Sequence, residues 1–201
     1  MYPLCSHCAT TVQVGVQLGG DASHRMGIFC PKECAVPQEN LSDLKELLVD
    51  QMEDLLHAEN QLIKALPKMA KASHSPQLHQ CFVKHLEQTR GHAERLQQCF
   101  ELLGVKAKTK TCKGMQGLIE EGEQTVSESK DRDPACADLA VVISAQKVEH
   151  YEISGYGSLR TLADQIGESR VARLLSDIEQ EEIRADELLT EVSQPLFAKA
   201  A

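Results

Sequence analysis

The chain has 201 residues, 25% charged and 42% hydrophobic, with a formal net charge of −9. That length allows one sizeable core plus a small extra module, and the acidic balance makes nucleic acid a poor partner. No apolar run approaches the roughly 20 residues that span a bilayer, and the N-terminus lacks the charged-then-apolar pattern of a secretory signal, so a cytoplasmic protein without a membrane partner is expected.

Residues 1–40 differ in kind from the rest. Val12, Val14, Val16 and Leu18 alternate with polar or small residues, the period of two that marks a strand. Gly19-Gly20-Asp21 reads as a turn, and Met26, Ile28 and Phe29 as a returning strand. Cys5-x2-Cys8 and Cys30-x3-Cys34 bracket this predicted hairpin. In a reducing compartment disulfides are rare, so such pairs read first as metal binding. The arrangement resembles a zinc ribbon, in which four thiolates hold Zn²⁺ and fold a segment too small for its own core. It also resembles rubredoxin, with iron in that place, although Ala9 and Ala35 stand where rubredoxin has glycine. Zinc, iron and no metal all stay open. Cys81 and Cys99 fall in helical pattern and are expected to be small buried apolar residues.

From Leu41 the period becomes helical. A first helix is predicted over 42–71, with Leu48, Met52, Leu55, Leu62 and Leu66 on one face and a kink or break at Pro67. Ser75-Pro76 opens a second, carrying Leu78, Phe82, Leu86, Leu96 and Phe100 and closed by Gly104. Residues 105–133 form a long connection with a short helix around Met115, Leu118 and Ile119. Asp133-Pro134 opens a third main helix, which Gly167 stops. The fourth covers 169–193 on Val171, Leu174, Leu175, Ile178, Ala185, Leu189 and Val192, with Pro195 beyond it. Two helical hairpins joined by one long crossover is the connectivity of ferritin-like bundles. The expected fold is therefore all-α: a four-helix bundle over 41–201, with the crossover between its second and third helices, preceded by the hairpin module.

Several carboxylates occupy apolar faces. At about 100° per residue, Glu59 falls between Leu55 and Leu62, within the stripe of the first helix. Glu152 follows Val148 by four and precedes Leu159 by seven, with Glu149 one turn earlier on the flank. Glu182 follows Ile178 by four and precedes Leu189 by seven, and Asp186 flanks it one turn later. A buried carboxylate finds a cation or takes up a proton, and facing helices of a bundle can supply a di-metal site from such positions. The plainer reading pairs each Glu with an arginine or tilts it to solvent. On the second helix His85 shares a face with Thr89 and His92; His85 is the better ligand candidate, because His92 lies nearer the helix end. Tyr151 and Tyr156 are close enough in sequence to support the ligands or simply to pack.

A family resemblance rests on these stretches. His57-Ala58-Glu59-Asn60-Gln61-Leu62, Lys64-Ala65-Leu66-Pro67-Lys68-Met69, His85-Leu86-Glu87-Gln88-Thr89, Gln146 to Ile153, and Glu181-Glu182 with Asp186 resemble the YciE/YciF family of bacterial ferritin-like proteins over about 42–193. The resemblance implies a rubrerythrin-like bundle, usually a homodimer, associated with stress responses. Rubrerythrins use a Glu on the first helix, Glu-x-x-His on the second, Glu-x-x-Glu on the third and Glu-x-x-His on the fourth. Glu59 resembles the first, and Glu149 with Glu152 the third; Ala185 stands where the last histidine would be, and His85 with Gln88 departs from the second pattern. The expected metal ligands are Glu59, His85, Glu149, Glu152, Glu182 and Asp186 for iron or manganese, and Cys5, Cys8, Cys30 and Cys34 for zinc. The expected function is a stress protein with a di-metal carboxylate site that consumes peroxide or oxygen; the alternative is a non-enzymatic scaffold with a vestigial site.

Overall fold

Helix ends in this chain are set by short-range chemistry that the sequence displays. In the computed structural model, which describes residues 38–200, Ser75 caps the helix that starts at Pro76, its hydroxyl accepting the Leu78 N–H. Asp133 caps the one that starts at Pro134, its carboxylate accepting the N–H groups of Ala135 and Cys136. At the other ends Gly104 and Gly167 take positive φ values of 70° and 80°. Each closes a Schellman motif: Val105 N–H reaches Phe100 O and Glu168 N–H reaches Ala163 O.

The elements so bounded are α1 (Gln38–Ala72), α2 (Pro76–Leu102), α3 (Lys113–Glu128), α4 (Pro134–Gln165) and α5 (Ser169–Ala200). Among the described residues there is no strand. The expected hairpin, with Cys5, Cys8, Cys30 and Cys34, lies outside them. Residues 73–75 and 166–168 make two tight hairpins, α1/α2 and α4/α5, and 103–133 carries the chain between them. The buried carboxylate of Asp138 on α4 accepts the N–H groups of His74 and Ser75 at 2.8 and 2.7 Å, tying the first turn to the second hairpin.

Three expectations are corrected. Pro67 does not break α1, which runs on to Ala72, and Pro195 does not lie beyond α5 but inside it, the helix reaching Ala200. Proline deletes one N–H from the helical ladder, but Leu62, Leu66 and Ala70 around Pro67, and Leu196 beside Pro195, are buried and hold those turns in place. The short helix in the crossover is a full four-turn element, α3, packed on α4 and α1. Cys112 caps it through its sulfur, which also lies 3.0 Å from the Tyr151 hydroxyl. Cys99 is buried, and burial pushes its thiol up to about 12, while Cys81 is only partly covered.

The core is aliphatic where the periodicity places it, with Leu48, Met52, Leu55, Leu62 and Leu66 of α1 all buried. Leu78, Phe82, Leu96 and Phe100 of α2, and Val171, Leu175, Ile178 and Leu189 of α5, join them. No described helix is long and apolar enough to cross a membrane.

Candidate metal centre

Four helices each aim acidic or imidazole groups into that aliphatic core. Glu59 comes from α1, His85 and His92 from α2, Glu149 and Glu152 from α4, and Glu182 from α5; all six are buried. They form two overlapping groups. His85, Glu149, Glu152 and Glu182 each offer a ligand atom within 4.8 Å of the others, and so do Glu59, His92 and Glu182. Glu182 belongs to both, and its two oxygens divide the work: Oε1 lies 2.7 Å from His92 Nδ1, and Oε2 lies 3.7 Å from His85 Nε2. His85 Nε2 is 3.4 Å from Glu149 Oε1, and His92 Nδ1 is 3.5 Å from Glu59 Oε1. The two imidazole rings sit 6.3 Å apart.

The electrostatics are those of a crowded acidic core. Burial pushes the carboxyls of Glu149 and Glu152 well above the usual range, and neighbouring carboxylates add to it. Burial also raises Glu59, although His92 opposes it. Burial works against ionising Glu182 as well, yet His92 and His85 outweigh it and hold that carboxyl below the usual value. Burial lowers His85. For His92 burial is outweighed by Glu182 and Glu59, and the imidazole is pushed up to about 10.

Among the described residues, nine buried side-chain nitrogen and oxygen atoms make no regular hydrogen bond, and all nine belong to these six side chains; two of them, His92 Nδ1 and Glu182 Oε1, meet each other as an ion pair at 2.7 Å. Such an unpartnered atom costs about 1–3 kcal/mol, so the other seven rival the ~5–15 kcal/mol net stability of a whole domain. Four carboxylates and two imidazoles are a donor set suited to divalent cations that prefer oxygen.

Around the group, three further polar side chains brace one side. Tyr156 donates its hydroxyl proton to Glu59 Oε1. Glu181 Oε2 lies 3.0 Å from His92 Nε2, and Arg95 grips the same carboxylate in a fork at 2.9 and 2.7 Å. That grip keeps Glu181 below the usual carboxylate range, helped by His92.

Of the residues expected from sequence, the structure brings together Glu59, His85, Glu149, Glu152 and Glu182. Asp186 stands apart: its carboxylate accepts from Gln146 Nε2 at 3.0 Å and lies 3.6 Å from exposed His150. His92, ranked second by its place near the helix end, is fully buried between Glu59, Glu181 and Glu182. The spacing His85-x6-His92 carried the signal, since two helical turns return to one face. Glu181 and Arg95 had no signal of their own, because each is partly exposed and looks like a surface charge.

Residues 43–201 match the family described as a domain of unknown function, DUF892. The chain belongs to that family. Protein YciF of Escherichia coli (strain K12) is 38% identical to it over 155 residues, which is 77% of this chain and 92% of the relative. The crystal structure of that E. coli stress protein superimposes with a TM-score of 0.74, covering 78% of this chain and 98% of the other. YcfI of Rhodopseudomonas palustris, described as a putative structural protein, is 36% identical with a TM-score of 0.71, over 77% and 97% of the two chains. A protein of Xanthomonas campestris pv. campestris is 27% identical with a TM-score of 0.62, over 78% and 95%. The shared region of the DUF892 chains is thus the helical bundle.

Proposed function

We propose that the bundle core holds two divalent cations, iron or manganese, in a ferritin-like di-metal site, and that the protein serves stress chemistry by consuming peroxide or oxygen. The observation that carries this is the seven unpartnered buried atoms on five side chains from four helices. Charge supports two cations: four carboxylates balance two divalent ions when both imidazoles are neutral, whereas one ion would leave net negative charge in a dry core. Glu59 and His92 would hold one ion, His85, Glu149 and Glu152 the other, and Glu182 would give one oxygen to each.

A bound pair of such ions would supply the electrons that reduce dioxygen or peroxide. The protein's own part is positioning and proton handling. Glu181 accepts the Nε2 proton of His92, so that when a cation displaces the Nδ1 proton the Nδ1 lone pair would face the centre, and Arg95 fixes Glu181. Tyr156 orients Glu59 and is the nearest hydroxyl proton to it. Compared with rubrerythrins, the register on α2 is Thr89-x-x-His92, one turn beyond the His85–Gln88 pairing suggested by sequence. Thr89 replaces the glutamate and donates to its own helix at His85 O. His85 then offsets the histidine that Ala185 lacks.

A second reading, a non-enzymatic scaffold, is favoured by those same replacements at Thr89 and Ala185 and by the structural role suggested for the R. palustris relative. Pairing as a homodimer, which the family resemblance implies, and zinc at Cys5, Cys8, Cys30 and Cys34 belong to the proposal too; sedimentation analysis and metal analysis test them. The deciding experiment is anaerobic loading with Fe²⁺ or Mn²⁺, followed by metal analysis of wild type and the double variant Glu59→Ala/Glu152→Ala. About two cations per chain are expected in the wild type, with loss in the variant. Less than about one in the wild type would favour the scaffold, under which the variant gains stability because buried charge is removed. Zinc that survives the double substitution would place that ion on the cysteines.

A further inference from the structure

Between α1, α2, α3 and α4 a cavity of about 180 Å³ runs inward and ends on His85 and Glu149. Its walls are Leu62, Leu66, Phe82, Leu118, Ile119 and Val148. It opens beside Lys68 and Glu123, two exposed residues that pair with each other at 2.6 Å. Small residues on three helices leave the space free: Ala65 on α1, Gly122 on α3 and Ala145 on α4. A larger apolar side chain at any of them would fill much of it.

The polar groups along the cavity are largely engaged elsewhere. Ser144 donates its hydroxyl to Ala140 O, and Lys68 and Glu123 satisfy one another. What remains is at the inner end, where both ring nitrogens of His85 and Oε2 of Glu149 lack partners. A charged molecule would lose its water along these walls and meet unpartnered polar groups only at the inner end. An apolar one would lose nothing and gain contacts. A cavity of ~150 Å³ lined by Leu, Ile and Phe stays dry and takes up benzene or xenon, and this one is of that size.

We propose that this cavity binds a neutral apolar molecule of about six to eight carbon atoms, held with one end against His85 and Glu149. As a substrate assignment this rests on the di-metal reading; as a binding site it stands alone. The test is a ¹⁹F NMR titration of full-length, chelator-treated protein with fluorobenzene. Saturable binding is expected, weakened at least tenfold by Ala145→Phe and, at the half-buried position, by Ala65→Leu. The charged analogue 4-fluorobenzoate should bind at least tenfold more weakly than fluorobenzene. No saturation, binding untouched by both fillings, or equal affinity for the benzoate would each overturn the site. In protein shown by metal analysis to carry Mn²⁺, the bound fluorine signal should broaden, and a sharp signal would remove the substrate assignment. Protein that takes up no Mn²⁺ would count against the metal reading alone, with the cavity decided by the metal-free titration.

Discussion

The Glu59–His92 half of the buried cluster leans on other polar side chains: Tyr156 on Glu59, and Glu181 with Arg95 on His92. The His85–Glu149–Glu152 half has no such support, since both nitrogens of His85 and both carboxylate oxygens of Glu152 are without hydrogen-bond partners, and the apolar cavity lies behind it. Both halves sit at the same depth in one core, so burial does not separate them. The braced half is held by polar neighbours and has an imidazole pushed up to about 10, whereas burial raises the carboxyls of the open half well above the usual range. The cluster thus has one side held by polar neighbours and one side that faces an apolar space.

The sharpest way to break this contrast is to remove what the halves share. Glu182→Ala should abolish loading of both positions, whereas Glu149→Ala should leave one cation of two on the braced side; metal analysis after anaerobic loading reads the difference. Equal losses in the two variants would mean that the halves do not act separately. A smaller effect is expected at the brace. Glu181→Ala should weaken metal affinity about 10–100-fold by freeing the His92 ring, measured by competition with a chelator. Affinity unchanged in that variant would show that the Glu181–Arg95 pair is only a surface contact.

The smallest effect concerns the metal-free protein and acidity. Glu149 and Glu152 bind their protons more tightly folded than unfolded, and so does His92. The glutamates' contribution is complete at low pH and fades as pH rises above the ordinary value of 4.5, while that of His92 fades between 6.5 and about 10. Glu182 runs the other way, its contribution lost only as pH falls below 4.5, and so does His85, whose buried neutral ring loses stability as pH falls below 6.5 and offsets part of the change. The Tm of chelator-treated protein should therefore drop by several degrees between pH ~5 and ~9, and metal should flatten the curve by replacing those protons. A metal-free Tm that climbs over this range would contradict the assigned directions.

Much of this was readable from residues. Caps made of Ser75-Pro76 and Asp133-Pro134, and glycines at 104 and 167, act through the nearest turn, so sequence reveals them. The buried glutamates were legible for a related reason: an ionisable residue inside an apolar stripe breaks a periodic pattern. Tertiary packing hid the rest. Pro67 and Pro195 look like stops until the buried leucines beside them are seen to hold the helix. The glycines and glutamates of α3 blur its period, so only its apolar middle showed. His92 lies late in α2, and which residues it meets depends on how α5 crosses that end. Asp186 failed for the opposite reason, since one turn of drift along α5 carries it from the core to Gln146 at the edge.

α3 contributes to the cavity wall through Leu118, Ile119, Gly122 and Val126, but none of the six clustered side chains belongs to it. Part of the chamber's shape is therefore written in a stretch of chain that carries none of the clustered acidic and imidazole groups. A peripheral helix can be resculpted, residue by residue, to admit a different guest while the inner groups keep their positions. In the terms of protein engineering, this crossover is a modular selectivity element, and a library confined to residues 113–128 would vary what enters without disturbing what it meets.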